Sequence, residues 1–251
     1  MMEGLYQFGV LKDINHDSFM YFKNEGIQGN KLGIRYNKIF EVPSIISNEA
    51  GEALSRLFDD KKDWKAEAFH NGYQDDIDPL TLKEYGIPDR FFDILTETIK
   101  QIMEFAFKSN IKLNSISMQT YSTGAFVIPH SDNSFLDGST NGYDMNKYSA
   151  IIYLNEDYSG GELYFPQHDI SISPNKFSCY IFPGGQENIH GVKEITSGTR
   201  HILISMWDNE SATYSQEELD LFENNKAIWA NYDKGAAELS KVELALGMDK
   251  I

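Results

Sequence analysis

Ser115-Ile-Ser-Met-Gln-Thr-Tyr-Ser-Thr-Gly-Ala-Phe-Val-Ile-Pro-His130-Ser-Asp132 is where the chain changes its period. Upstream, from Pro88 to Lys108, the residues Phe91, Leu95, Ile99, Ile102, Met103 and Ala106 recur at helical spacing and predict one long helix with a broad apolar stripe. From Ser115 the spacing drops to about two, the period of a strand whose side chains point alternately to its two faces. Eight short runs of this kind follow, at 115–121, 124–130, 148–155, 161–166, 169–173, 177–183, 188–196 and 200–208. They are rich in Ile, Tyr, Phe and Val and are punctuated by Gly, Pro, Asn and Asp. Eight strands so spaced predict a mainly β fold with flanking helices, its core a jelly roll of two facing sheets.

Before the strands, Ile39-Phe-Glu-Val-Pro reads as a strand, and Ser47 offers an N-cap to a helix over Asn48 to Phe58. In that helix Ala50, Ala53, Leu54, Leu57 and Phe58 fall on one side. Residues 59–87, polar and broken by Gly72, Pro79 and Gly86, read as a long irregular excursion. Residues 1–37 form an N-terminal extension without a clear pattern. The expected catalytic unit is 38–210, and 211–251 is an acidic helical tail that starts at a capping-box-like Ser215-Gln-Glu-Glu.

Composition removes several classes of function. Asp and Glu number 38 against 22 Lys and Arg, a net charge of −16. That balance opposes a nucleic-acid partner, which needs a basic face, and an anionic membrane surface. No run approaches the ~20 apolar residues of a membrane helix, and no basic segment precedes an apolar one at the N-terminus. The single cysteine, Cys179, cannot form an intrachain disulfide, and its apolar neighbours predict an inert core position. The expectation is a soluble protein of the reducing cytoplasm; the sequence leaves its oligomeric state open.

The chemistry is concentrated in a few positions. His130 and Asp132 are two apart, so both can face one ion from the rim of a strand while Ser131 points away. His190 lies on a later strand that could pair beside the first. Two imidazoles and one carboxylate form a facial set that suits non-haem Fe(II) and leaves coordination positions open. Arg200 follows ten residues later and offers an anchor for an acidic cosubstrate. Two further His-Asp pairs, His16-Asp17 and His168-Asp169, lack the alternate spacing and read as surface or turn residues. Gly160-Gly161 and Gly184-Gly185 read as tight connections that use backbone conformations other residues avoid.

Four blocks then carry a resemblance: Tyr121 to Asn133, Tyr148-Ser-Ala-Ile-Ile-Tyr-Leu-Asn, Gly160-Gly-Glu-Leu-Tyr-Phe-Pro, and Ile189-His to Arg200-His-Ile-Leu-Ile-Ser-Met-Trp. In kind and order they resemble the prolyl 4-hydroxylase-like branch of the Fe(II)/2-oxoglutarate-dependent oxygenases, over roughly Lys38 to Asp208. The resemblance implies a double-stranded β-helix core. It implies His130, Asp132 and His190 as the Fe(II) ligands, and Arg200 and Tyr153 as the grip on the C5 carboxylate of 2-oxoglutarate. Tyr121 would line the cosubstrate pocket, and Thr199 and Met206 are further lining candidates. A second reading of Tyr153 is a cross-strand aromatic of the core, on the face of Ser149 and Ile151.

The implied activity is hydroxylation of a peptidyl-prolyl or related protein residue, with 2-oxoglutarate and O₂ consumed and succinate and CO₂ released. Ascorbate, as a reductant for the iron, is a further candidate cofactor whose requirement the sequence leaves open. Hydroxylation of a small molecule such as a free amino acid is the alternative, and a non-enzymatic metal-binding jelly roll is a third. Asp132 keeps a carboxylate on the metal, which argues for hydroxylation over halogenation. Nucleobase demethylases of the wider superfamily carry a second Arg six residues after the first, where this chain has Met206. Collagen-type prolyl hydroxylases usually carry Lys at the anchor; Arg200 departs from them and makes a collagen-like substrate less favoured. The polar stretch Asn133 to Lys147 reads either as a lid over the substrate or as a plain surface loop.

Overall fold

A computed structural model describes residues 6–12, 20–22, 38–61, 65–66, 72–75 and 79–216. The chain opens with a small hairpin, β1 (Tyr6–Gln7) and β2 (Val10–Leu11), followed by β3 (Met20–Phe22) and β4 (Ile39–Val42). Helix α1 (Asn48–Asp60) comes next, then β5 (Lys65–Ala66), β6 (Gly72–Asp75), α2 (Pro79–Glu84) and α3 (Phe91–Phe107). The remainder is β7 (Ile111–Ser122), β8 (Val127–His130), β9 (Tyr148–Tyr153), β10 (Ser159–Gly160), β11 (Leu163–Phe165) and β12 (Ile170–Ile172). It ends with β13 (Cys179–Pro183), β14 (His190–Val192), β15 (Ile195–Ser197) and β16 (Thr199–Asn209).

Two sheets face each other. The larger has eight strands in the order β3-β4-β13-β9-β16-β7-β6-β5, and the smaller has four, β12-β11-β14-β8. The eight runs expected from the sequence supply β7, β9, β13 and β16 of the larger sheet and all four strands of the smaller one. Successive strands switch sheets, β7 to β8 to β9, and return through β13, β14 and β16; this is the double-stranded β-helix.

Alternation along the strands divides the apolar residues between two cores. Ala150, Ile152, Leu154, Cys179, Ile181, Leu203 and Trp207 face outward into a cluster with α1 and α3. Ile151, Tyr153, Tyr180, Phe182 and Ile202 face inward, against Leu163, Phe165 and Ile172 of the smaller sheet. Burying a side chain of this size contributes about 1.5–3 kcal/mol, so the helix-covered face anchors the sheet whose other face carries the chemistry. Cys179 lies in the outer cluster, fully buried, and burial raises its thiol pKa well above the ordinary value.

Helix α1 begins as its sequence predicts: Ser47 Oγ accepts the amide hydrogen of Ala50 at 3.3 Å. Helix α3 buries Phe91, Leu95, Ile99, Ile102 and Met103 and ends at Lys108 in the left-handed conformation. The expected irregular excursion over 59–87 is corrected: it contains the strands β5 and β6, which extend the larger sheet beyond β7, and the helix α2. Backbone pairing to the edge of β7 decides that segment, and it leaves little trace in an apolar period. In the N-terminal extension Val10 and Leu11 are buried in the outer cluster. His16-Asp17 and the tail beyond Gln216, with most of its expected helix, lie outside the described residues. Among the described residues no helix is long and apolar enough to cross a membrane.

Candidate metal centre and anion pocket

β8 ends and β14 begins on a histidine, and antiparallel pairing sets His130 and His190 directly opposite each other. Their ring centroids are 4.5 Å apart. Asp132 follows β8 by two residues, its backbone N–H donating to Gly184 O at 2.8 Å. Asp132 Oδ1 lies 3.4 Å from His130 Nε2 and 3.7 Å from His190 Nε2. One ligand atom from each residue falls within 4.8 Å of the others, so the three could hold one ion.

Hydrogen bonds fix which atoms face that point. His130 Nδ1 donates to Ile128 O at 2.8 Å, and His190 Nδ1 donates to Asn188 O at 3.0 Å. Since a carbonyl oxygen only accepts, each Nδ1 carries a proton, so Nε2 is the atom each ring would offer to a metal, the arrangement found for metal-ligating histidines. The second carboxylate oxygen, Asp132 Oδ2, accepts from Ser149 Oγ at 2.5 Å. Ser131 points away, as expected, donating to Gly184 O at 3.1 Å.

The charges agree with this arrangement. Burial opposes ionisation of Asp132, but His190, His130 and Ser149 outweigh it and hold the carboxyl below its usual range. Burial, set between Phe165 and Phe182, pulls His190 down to about 4 against the pull of Asp132. Burial would also lower His130, yet the hydrogen bond and charge of Asp132 raise it above the ordinary value. Asp132 and His190 are thus in the protonation states that a divalent cation requires, whereas His130 would give up its Nε2 proton to a bound cation.

Deeper in the barrel, Arg200 of β16 is 1% exposed. Its guanidinium carbon sits 4.5 Å from the centre of the Tyr121 ring and 5.8 Å from that of Tyr153. Arg200 Nε and Nη1 and the Tyr153 hydroxyl are buried without a hydrogen-bond partner. Each unsatisfied buried group costs about 1–3 kcal/mol, and more when it is charged. Three such groups from two adjoining side chains mark a place built for an acceptor-rich anion. Tyr121 plays a different part: its hydroxyl donates to Gln119 Oε1 at 2.7 Å, and its ring face supports the cation.

Several site residues escaped the sequence reading. Ser149 was placed on the correct face, with Tyr153, but not assigned to the carboxylate. Gly184 was expected to use an unusual backbone conformation, and the structure corrects this. Positive φ angles occur at Gly160 and Gly161, as expected, but not at Gly184. A Cβ on Gly184 would lie 2.6 Å from Asp132 Oδ2, so the glycine is required by close approach to the ligand. His168 does lie in a turn, but it is not a surface residue: it is 3% exposed and bonded to the segment before His190. Met206 places Sδ 3.5 Å from Ser149 Oγ, at the edge of the site. Thr199 reaches Asn155 through its backbone oxygen.

Comparison with known proteins agrees with the geometry. Residues 116–208 match the profile of the 2OG-Fe(II) oxygenase superfamily. The chain is similar to prolyl 3-hydroxylase 2 of Homo sapiens, 32% identical over 123 residues, which are 44% of this chain and 17% of that protein. It therefore spans less than a quarter of the length of the curated relatives it matches. Among solved structures it shares its fold with a viral collagen prolyl hydroxylase from Paramecium Bursaria Chlorella virus-1, in complex with 2OG. That match has TM-score 0.53 and 15% identity, covering 70% of this chain and 98% of the other. It also shares its fold with a prolyl hydroxylase from Trichoplax adhaerens bound to a peptide fragment of hypoxia inducible factor. There the TM-score is 0.52 and the identity 13%, covering 72% and 90% of the two chains. Residues 116–208 thus match a 2OG-Fe(II) oxygenase domain, and the chain is similar in sequence to prolyl 3-hydroxylases.

Proposed function

We propose that this chain is an Fe(II)- and 2-oxoglutarate-dependent dioxygenase that hydroxylates a prolyl residue of a peptide or protein, with residues 38–210 as the working unit. The observation that carries the reading is the pairing of two features in one barrel. One is a His-Asp-His set with both Nε2 atoms and one carboxylate oxygen converging. The other is a buried Arg200 whose free donors, with the Tyr153 hydroxyl, lack an acceptor.

The residues present fit both groups. His130, Asp132 and His190 would hold Fe(II), a borderline cation suited to two imidazoles and a carboxylate. Arg200 and Tyr153 would bind the distal carboxylate of 2-oxoglutarate, the guanidinium as a planar fork. Ser149 and Tyr153 share the inner face of β9, four residues and about 13 Å apart along the strand. That separation, spanned from both ends by side chains, suits a small dicarboxylic acid. With both groups bound, one atom of O₂ enters succinate as CO₂ leaves, and the other enters the substrate as hydroxyl.

The chain's own contribution is placement and exclusion of water. Ser149 holds Oδ2, so Oδ1 is the oxygen that Asp132 would offer to the metal. Ile128 O and Asn188 O hold the imidazole tautomers. Phe165 and Phe182 wall His190 away from solvent. Similarity to prolyl hydroxylases supports a prolyl substrate. Incubating the protein with Fe(II), 2-oxoglutarate, O₂ and proline-containing peptides, beside free amino acids, tests this. The expected product is a peptide heavier by one oxygen on proline; oxygen gained only by a free amino acid would overturn the peptide reading.

A further inference from the structure

The loop between β11 and β12 is a tight turn, closed by His168 N–H donating to Phe165 O at 3.0 Å. Turn residues normally carry polar side chains into solvent. Here Gln167 and His168 are 4% and 3% exposed, and both reach out of their own hairpin to the segment 186–189. Gln167 grips that segment at two points. Its Oε1 accepts from Ile189 N at 2.8 Å, and its Nε2 donates to Gln186 O at 2.7 Å. His168 Nε2 lies 2.8 Å from Glu187 O and 2.9 Å from Asn188 Oδ1. Asn188, fully buried, donates its Nδ2 to Pro183 O at 3.1 Å.

The held segment is a single 3-10 turn, Gln186–Asn188, and Asn188 O is the acceptor that orients the His190 ring. The two histidine ligands differ here. The carbonyl that orients His130 belongs to Ile128, inside β8, between the residues Val127 and His130 that pair with β14. The carbonyl that orients His190 precedes β14 and belongs to no ladder. Something else must hold it, and the side chains of Gln167 and His168 do.

We propose that Gln167 and His168 are positioning residues for the metal ligand His190, acting through Asn188. They do not touch the metal. They fix the carbonyl that selects the His190 tautomer and ring angle. This rests on the reading of His130, Asp132 and His190 as one metal site. The loss expected when such an outer hydrogen bond is removed is about 10–100-fold in metal affinity.

The test is Co(II) titration of the full chain, followed by visible absorption, for wild type, His130→Ala, Gln167→Met, His168→Leu and His168→Gln. Thermal unfolding of each metal-free protein is measured alongside. Wild type binds, and His130→Ala does not. Gln167→Met and His168→Leu bind about 10–100-fold more weakly with an altered absorption envelope. His168→Gln, which keeps a donor near the Nε2 position, recovers most of the affinity. Wild-type affinity and spectrum in both Gln167→Met and His168→Leu would overturn the proposal while leaving the metal site intact. Equal Co(II) binding by wild type and His130→Ala would instead overturn the metal-site reading. Should His168→Leu not fold, Gln167→Met against His168→Gln decides.

Discussion

Ser149 Oγ donates to Asp132 Oδ2 at 2.5 Å, and this one bond decides which carboxylate oxygen faces the two histidines. The aspartate is held from outside the metal set, by the strand that also carries Tyr153. Replacing Ser149 with Ala removes the bond and frees the carboxylate to rotate. Metal affinity is expected to fall about 10–100-fold, with folding retained. Direct titration with Fe(II) under anaerobic conditions, or with Co(II), reads the change; unaltered affinity would show that Ser149 plays no part in ligand placement.

Gly184 has no space for a methyl group. An added Cβ would stand 2.6 Å from Asp132 Oδ2 and 3.1 Å from Asn146 O. Gly184→Ala is expected to displace the carboxylate, costing about 1–3 kcal/mol of stability as an overpacked site does and most of the metal affinity. Chemical unfolding and metal titration of the same variant check both. A variant that loses stability but binds metal as wild type does would contradict the account of Gly184.

Arg200 is a buried cation waiting for an anion, and this makes a prediction of unusual sign. Arg200→Met removes an unpaired buried charge and fills the space with a flexible apolar chain. The ligand-free protein is expected to melt at the same temperature as wild type or higher. The stabilisation that saturating 2-oxoglutarate gives the metal-loaded wild type, about 2.7 kcal/mol at one hundred times Kd, is expected to vanish. Tyr153→Phe is expected to weaken the same shift. A ligand-induced shift in Arg200→Met equal to that of wild type would rule out the proposed grip.

His201 contributes to the pH dependence of stability, beside the metal-site histidines. It sits beside Arg200 on β16 but faces α1, its ring 5.2 Å from that of Phe58. Its Nδ1 lies 2.8 Å from Thr120 Oγ1 and its Nε2 lies 3.1 Å from Asp59 Oδ1. Burial lowers its pKa, and Asp59 offsets this only in part. The unfolded chain, with an ordinary imidazole near 6.5, takes a proton that the folded chain refuses. Stability is therefore expected to fall as pH drops below about 6.5, and His201→Gln should flatten part of that slope. Urea midpoints of the metal-free proteins at pH 7.5 and 5.0 provide the comparison, and parallel losses in the two would remove His201 from the account.

Much of this site was legible in the sequence because strand alternation is strict. The spacing of His130 and Asp132, the eight apolar runs and the shared face of Ser149 and Tyr153 all follow from a period of two. The pairing of His130 with His190 was expected only as strands that could lie side by side; the register places them directly opposite. What escaped the reading depends on contacts between distant segments. Gly184 matters because of a carboxylate 52 positions earlier in the chain (184 − 132). Gln167 and His168 matter because of a turn some twenty residues later. β5 and β6 exist because β7 offers an edge. None of these leaves a periodic mark.

On the proposed reading, His130, Asp132 and His190 bind the iron on which turnover of 2-oxoglutarate depends. Its most direct test is succinate formation from 2-oxoglutarate by the purified chain with Fe(II) and O₂, measured for wild type and for Asp132→Ala. Succinate is expected from wild type, slow without substrate and faster with a proline-containing peptide that becomes hydroxylated, and none above background from Asp132→Ala. Equal succinate from both proteins would contradict it.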